Sequence, residues 1–167
     1  FVLYLMCAYF LVIMPLPKIS EVAKLTIPRV QLIPFKFIYD FISNTSLVIT
    51  NIHTYLNALK ESYFYVPVYN IFLTLPFGIY LRYYFKCSFK KTILYTFLLS
   101  LFFELTQLSG LYFIYPRGYR LFDVDDLILN TLGGIVGYLV SLPIIKILPD
   151  RDKINLVSLE NGKIISG

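Results

Sequence analysis

What most constrains this chain is the length of its apolar runs. "YFYVPVYNIFLTLPFGIYLRYYF", residues 63–85, and "LILNTLGGIVGYLVSLPIIKIL", residues 127–148, each reach the roughly 20 residues a helix needs to cross a bilayer. A third run starts at Thr92 and continues to about Ser109, or as far as Tyr115. A fourth, "FVLYLMCAYFLVIM", opens the chain and meets Pro15 before it is long enough to span. It has no basic leader and no small-residue cleavage site, so the numbering is expected to begin partway through a first transmembrane helix. The expected fold is all-α: a polytopic bundle of about four spans. Interfacial or re-entrant helices are expected within residues 15–61, where "RVQLIPFKFIYDFI" and "NIHTYLNALKES" mix apolar and polar residues at helical spacing.

Composition agrees. Charged residues are 15% of the chain and mean hydropathy is +0.70, against about 25% charged in a soluble domain. The net charge of +5 is spread over short connections between apolar runs. It forms no basic face, so no nucleic-acid partner is expected. Such charges set membrane orientation instead. Arg82, Lys86, Lys90 and Lys91 cluster after one run, and Lys146, Arg151 and Lys153 follow the last. With both clusters inside, residues 15–61 and 110–125 lie outside and both termini are cytoplasmic. The thinner set of Lys18, Lys24, Arg29, Lys36 and Lys60 then faces out. Cys7 and Cys87 lie far apart and no zinc spacing exists. His53, the only histidine, sits in a polar connection. The residues leave both a cofactor and a metal open; carboxylates could hold a divalent cation, but nothing in the sequence requires one.

"RLFDVDDLILNTLGG", residues 120–134, crowds charge at the mouth of the last apolar run. Asp123 is placed to cap that helix, with Asp125 and Asp126 favoured by its dipole. Asp126 follows Asp123 by three residues and precedes Asn130 by four, so the three share one stripe. At 1.5 Å per residue, Asn130 and Asn70 lie about 10 Å inside their runs and Glu104 about 8 Å, with Gln107 on the face of Glu104. Three runs therefore bring polar groups to one depth on one side. An ionisable group in hydrocarbon faces the bundle interior or a wet cavity. Glu104 with Asp126 or Asp123 is equipment for general acid–base chemistry. Arg117 and Arg120 suit a phosphate or carboxylate, and Asn70, Gln107 and Asn130 suit substrate orientation. The alternatives are structural: caps, interhelical hydrogen bonds and, for Gly133-x-x-x-Gly137, a close-packing face. Pro76 predicts a kink near Phe72.

The ordered set resembles the VanZ-like membrane proteins. It consists of Asn70 in "NIFLTLPFG", Glu104 and Gln107 in "SLFFELTQ", then Arg120, Asp123, Asp126, Asn130, Gly133 and Gly137. The last group follows the family's Arg-x-x-Asp-x-x-Asp-x-x-x-Asn-x-x-Gly-x-x-x-Gly. "QLIPF", residues 31–35, is similar to the family's Asn-Leu-Ile-Pro-Phe, with Gln31 in place of Asn. The match spans about residues 29–148. The resemblance implies an integral protein of the bacterial cell membrane and envelope, linked with reduced glycopeptide (teicoplanin) susceptibility. It implies a membrane domain over residues 1–149. Residues 150–167 are then a polar cytoplasmic tail or the start of a further region. Membrane lipids and a lipid-linked envelope precursor are the expected partners. The activity is open between an enzyme on such a component, a binder or transporter of a lipid or amphiphile, and a structural partner in an envelope complex.

Overall fold

The computed structural model describes residues 1–26 and 30–147, and helices dominate it. Readings that fall on Arg29 and on residues 148–167, including Arg151 and Lys153, lie outside the described residues. Helix α1, Val2–Ile13, stops where Met14 turns extended ahead of Pro15, because a residue before proline is driven out of the helical region. Between residues 15 and 61 lie only short pieces: α2 (Ile19–Val22), α3 (Lys36–Asn44), a 3-10 turn (Ile52–Thr54) and α4 (Tyr55–Ala58). Three long helices follow: α5 (Ser62–Tyr83), α6 (Phe89–Leu108) and α8 (Val124–Ile145).

Helices α5 and α8 are long and apolar enough to cross a membrane. Helix α6 is nearly as long but carries Lys90, Lys91, Glu104 and Gln107, and α1 covers 12 residues. Helix α6 ends at Leu108 with Ser109 as its C-cap, and does not run on to Tyr115. Gly110, Leu111, Tyr112 and Phe113 (α7, Gly110–Phe113) take positive φ values of 55–68° and form one left-handed turn. A Cβ on Gly110 would lie 2.6 Å from the Arg117 carbonyl oxygen, so glycine is required at the reversal.

The helices are packed inside-out relative to a soluble bundle. Thr74, Thr92, Thr96, Ser100 and Ser141 are fully buried, whereas Phe72 is 64% exposed and Leu98 47%. Many large apolar side chains face outward and small polar ones face inward, which suits lipid surroundings. The glycines explain how closely the backbones approach. A Cβ on Gly78 would meet the Gly134 carbonyl oxygen at 2.1 Å, and one on Gly137 would meet that of Leu75 at 2.0 Å. Helices α5 and α8 form the most extensive helix pair as a result. Thr96 of α6 closes on Gly134 from the other side. Helix α5 runs through Pro67 and Pro76. The Tyr4 hydroxyl of α1 donates to the Leu73 carbonyl, next to the predicted kink position, at 2.5 Å.

One feature departs from an all-α fold. Val30–Gln31 (β1) pairs in parallel with Phe122–Asp123 (β2), in the register Val30↔Phe122 and Gln31↔Asp123. A two-residue ladder is too short to leave a periodicity in sequence. It arises because the segment ahead of α3 folds back over the start of α8.

Candidate functional site

The stretch between α6 and α8 holds the groups singled out in sequence, and each is placed by a specific contact. Asp123 is the N-cap of α8, its Oδ1 accepting from the Asp125 N–H at 2.8 Å. Gln31 donates to the same Oδ1 at 3.2 Å. Burial pushes the Asp123 carboxyl up from its ordinary value, opposed by the Asp125 N–H and by Gln31. The Asp123 N–H, left free by the start of the helix, donates to Glu104 Oε2 at 2.9 Å. Glu104 is thus fixed against the entrance of α8, buried at 3% exposure. One turn in, Asn70 Nδ2 donates to Asp126 Oδ1 at 2.5 Å. Deeper still, Asn130 Nδ2 donates to Ser100 Oγ at 2.9 Å, and Ser100 donates to the Asp126 carbonyl at 3.3 Å.

These residues border one cleft of about 670 Å³. Asn70, Glu104, Gln107, Asp123, Asp126 and Asn130 all line it, with apolar walls from α1 and α5. Arg120 lines it too, but its Nη1 and Nη2 donate to the carbonyls of Val12 and Met14, at 2.8 and 2.9 Å. Gln107 Nε2 donates to the same Val12 carbonyl at 3.0 Å, and the Tyr119 hydroxyl to that of Ile13 at 3.2 Å. These three side chains satisfy the carbonyls left open at the end of α1, and the arginine also complements the helix dipole there. Arg117 lies away from the cleft lining and donates to the Leu25 carbonyl.

A second, smaller cavity of about 330 Å³ lies across the same stretch, bordered by Lys36, Asp40 and Pro67 and sharing Asp123 and Asp126 with the cleft. Lys36 and Asp40 form an ion pair at its edge. Asp125 faces this side, buried, and accepts from the N–H groups of Phe35 and Phe37 at 2.6 and 2.9 Å. It caps α3, a helix distant in sequence, while standing in the first turn of its own.

Sequence reasoning missed Ser100, which ties Asn130 to the Asp126 carbonyl. The signal was present, since Ser100 precedes Glu104 by four residues and shares its face. It also left Gln31 aside as a departure from Asn, yet the longer amide reaches the Asp123 carboxylate. Among the described residues, no group of three or more His, Cys, Asp and Glu side chains is arranged to hold a metal ion.

Compared with known proteins, the chain matches the family model described as VanZ/LLP1 over residues 1–146. That span takes in α1, ahead of the residues that carry the sequence resemblance. No curated protein and no solved structure matches the chain.

Proposed function

The chain belongs to the VanZ/LLP1 family, and from that premise we propose that it is a multi-pass enzyme of the bacterial envelope, acting on a lipid-linked or surface-exposed component by acid–base chemistry. In this reading α6 crosses the membrane beside α5 and α8, with α1 packed against the cleft. The observation that carries the proposal is that Glu104 and Asp126 open on one cleft while each is tethered through a single oxygen. The second oxygen of each is left for a reacting group. Positioned carboxyl groups within reach of one substrate are what proton transfer in a transition state requires.

Glu104 is the acid or base and Asp126 its partner. Asp123 holds Glu104 through its backbone and caps α8. Asn70 and Asn130 orient the substrate, and Gln107 and Arg120 hold the cleft wall by fixing the end of α1. An effect on glycopeptide susceptibility would follow from the modified component at the cell surface.

The experiment compares envelope lipids and wall fragments, by mass spectrometry, from cells carrying the wild type, Glu104→Gln, Asp126→Asn or no protein, at matched membrane abundance. A species seen only with the wild type is the expected result, and its mass difference would identify the reaction. Four matching profiles would defeat the enzyme reading.

A second reading rests on the shape of the cleft. Its polar groups lie against apolar walls from Val12, Leu73 and Phe103, which suits an amphiphile bound or carried without turnover. Glu104→Gln would then alter ligand uptake while every covalent product stayed the same.

A further inference from the structure

Residues 30–37 turn apolar side chains outward over a backbone whose donors are already engaged. Leu32 and Ile33 are each 66% exposed and Phe35 55%. A loop in water can leave its N–H groups to the solvent, but here protein acceptors take them. Gln31 pairs with Asp123 in the ladder, and its side-chain amide bonds both the N–H and the carbonyl of Ile33. Pro34 has no N–H to satisfy. The N–H groups of Phe35 and Phe37 donate to the two oxygens of Asp125 at 2.6 and 2.9 Å. Irregular backbone is tolerated at membrane depth only where its polar groups are satisfied in this way.

The depth of the segment follows from the register of the long helices. Asn70 bonds Asp126 and Thr74 bonds the Asn130 carbonyl, each pair 56 residues apart. Asp125 is therefore level with Tyr69, about 10 Å along α5 from its start at Ser62. Helix α3 begins at that level and runs outward. Its Phe41 ring lies 6.1 Å from that of Phe64, which is about 7.5 Å nearer the start of α5 than Tyr69. The rise along α3 from Lys36 to Phe41 is the same, about 7.5 Å. Just past the end of α3, the Ser46 N–H donates to Glu61, the N-cap residue of α5. The chain thus turns at the entrance of α8 and returns beside the first turns of α5.

The faces of α3 sort to match. Its charged pair, Lys36 and Asp40, borders the smaller cavity, which keeps charge out of hydrocarbon. Phe37 and Phe41 are half-buried. Ile38, Tyr39 and Ile42 share one face by their spacing and are exposed, Tyr39 at 70% and Ile42 at 71%. They lie at the depth of Tyr63, Val66 and Tyr69 of α5, which are exposed as well.

We propose that residues 30–44 form a re-entrant loop, with residues 32–35 at its tip seated among the acyl chains of the leaflet on the α8-entrance side. The loop then holds that entrance within the membrane, since Gln31 and Asp125 tie the two together. The inference rests on α5 and α8 crossing the membrane, and not on any reaction in the cleft.

The test uses fluorescence depth measurement, for which the chain is suited because it has no tryptophan. Ile33→Trp at the tip, Asn44→Trp at the outer end of α3 and Phe72→Trp within α5 are each made in the full chain. Each is reconstituted in phosphatidylcholine vesicles brominated either near the head group or low on the acyl chain. Phe72→Trp reports whether α5 lies in the hydrocarbon. Ile33→Trp should lose most of its emission to the low bromines, as Phe72→Trp does, while Asn44→Trp is quenched only by bromines near the head group. Should Ile33→Trp fold poorly, Leu32→Trp carries the same expectation. Equal quenching of Ile33→Trp and Asn44→Trp by the shallow lipid alone would overturn the proposal, placing the segment flat on the surface. An unquenched tip would also overturn it: red-shifted emission would put the loop in water, and blue-shifted emission would put it under protein. An unquenched Phe72→Trp would remove the spans themselves. The enzyme reading fails separately, since a quenched tip with unchanged envelope profiles would keep the loop and remove turnover.

Discussion

At the scale of single residues, the aspartates of "DVDD" divide their work by the direction each one faces. Asp123 caps its own helix and Asp126 looks into the cleft. Asp125, between them, turns away from the cleft but stays buried, and caps α3 through Phe35 and Phe37. Replacing it removes a charged acceptor shared by two half-buried hydrogen bonds, so Asp125→Ala is expected to destabilise the protein by about 2 kcal/mol. Thermal unfolding in detergent checks the loss, and a variant as stable as the wild type would show that α3 does not depend on this cap. Glu61 gives a pH-dependent counterpart outside the long helices. Hydrogen bonds from Ser46, whose N–H donates to Oε1 at 2.9 Å, hold its carboxyl below the usual 4.5. A depressed folded value means the bond supports the fold above the unfolded pKa and is lost as pH falls through the folded one. The Ser46 amide resonance should therefore titrate with a midpoint below 4.5. A midpoint at or above that value would mean that the bond is not formed in solution.

At the scale of elements, two helix contacts organise the site. Helix α8 lies against α5 through Gly133 and Gly137, where any added Cβ meets backbone at 2.2 and 2.0 Å. Backbone cannot yield as a flexible side chain can, so Gly137→Val should separate the pair and lower stability by several kcal/mol, about the scale of severe overpacking. Folded yield and melting temperature are the readouts. The other contact is the end of α1, whose Val12, Ile13 and Met14 carbonyls are met by Gln107, Arg120 and Tyr119. Arg120→Gln removes one of the guanidinium's two bonds and its charge. Hydrogen exchange near residues 10–14 should rise by about tenfold if one such bond is lost. Unchanged exchange together with lost substrate binding would move Arg120 from holding α1 to contacting the substrate.

At the scale of the whole molecule, the cleft lies at the α8 entrance, at the end opposite the basic turn of residues 86–91. If that turn is cytoplasmic, the cleft opens towards the outer face, where envelope components are assembled. In a Cys7→Ser background, an impermeant maleimide should label Cys87 only after the cells are broken. A cysteine placed at Asn51 should label in intact cells. Labelling of Cys87 in intact cells would invert the orientation and bring the cleft to the cytoplasmic side.

Much of this was legible in the sequence because helical periodicity is local. The stripe of Asp123, Asp126 and Asn130 follows from residue spacing alone, as do the cap at Asp123 and the small-residue face at Gly133 and Gly137. Depth along a helix is simple arithmetic, so counting residues is enough to bring Asn70, Glu104 and Asn130 to one level. What the sequence could not assign was the partner of each long polar side chain. Arg120 and Gln107 have the reach to meet a substrate or a carbonyl, and nothing in their spacing chooses between them. The choice came from where α1 ends, and Pro15 makes that end while the bundle places it. The same holds for Asp125 and for the two-residue ladder of Gln31 with Asp123, which join segments about 90 residues apart. The sequence by itself determined the helices, their apolar faces and the depth of their polar groups. Only the tertiary structure decided which acceptors stay open, because a hydrogen bond is settled by distance and direction in space, and no local pattern encodes those for residues far apart in the chain.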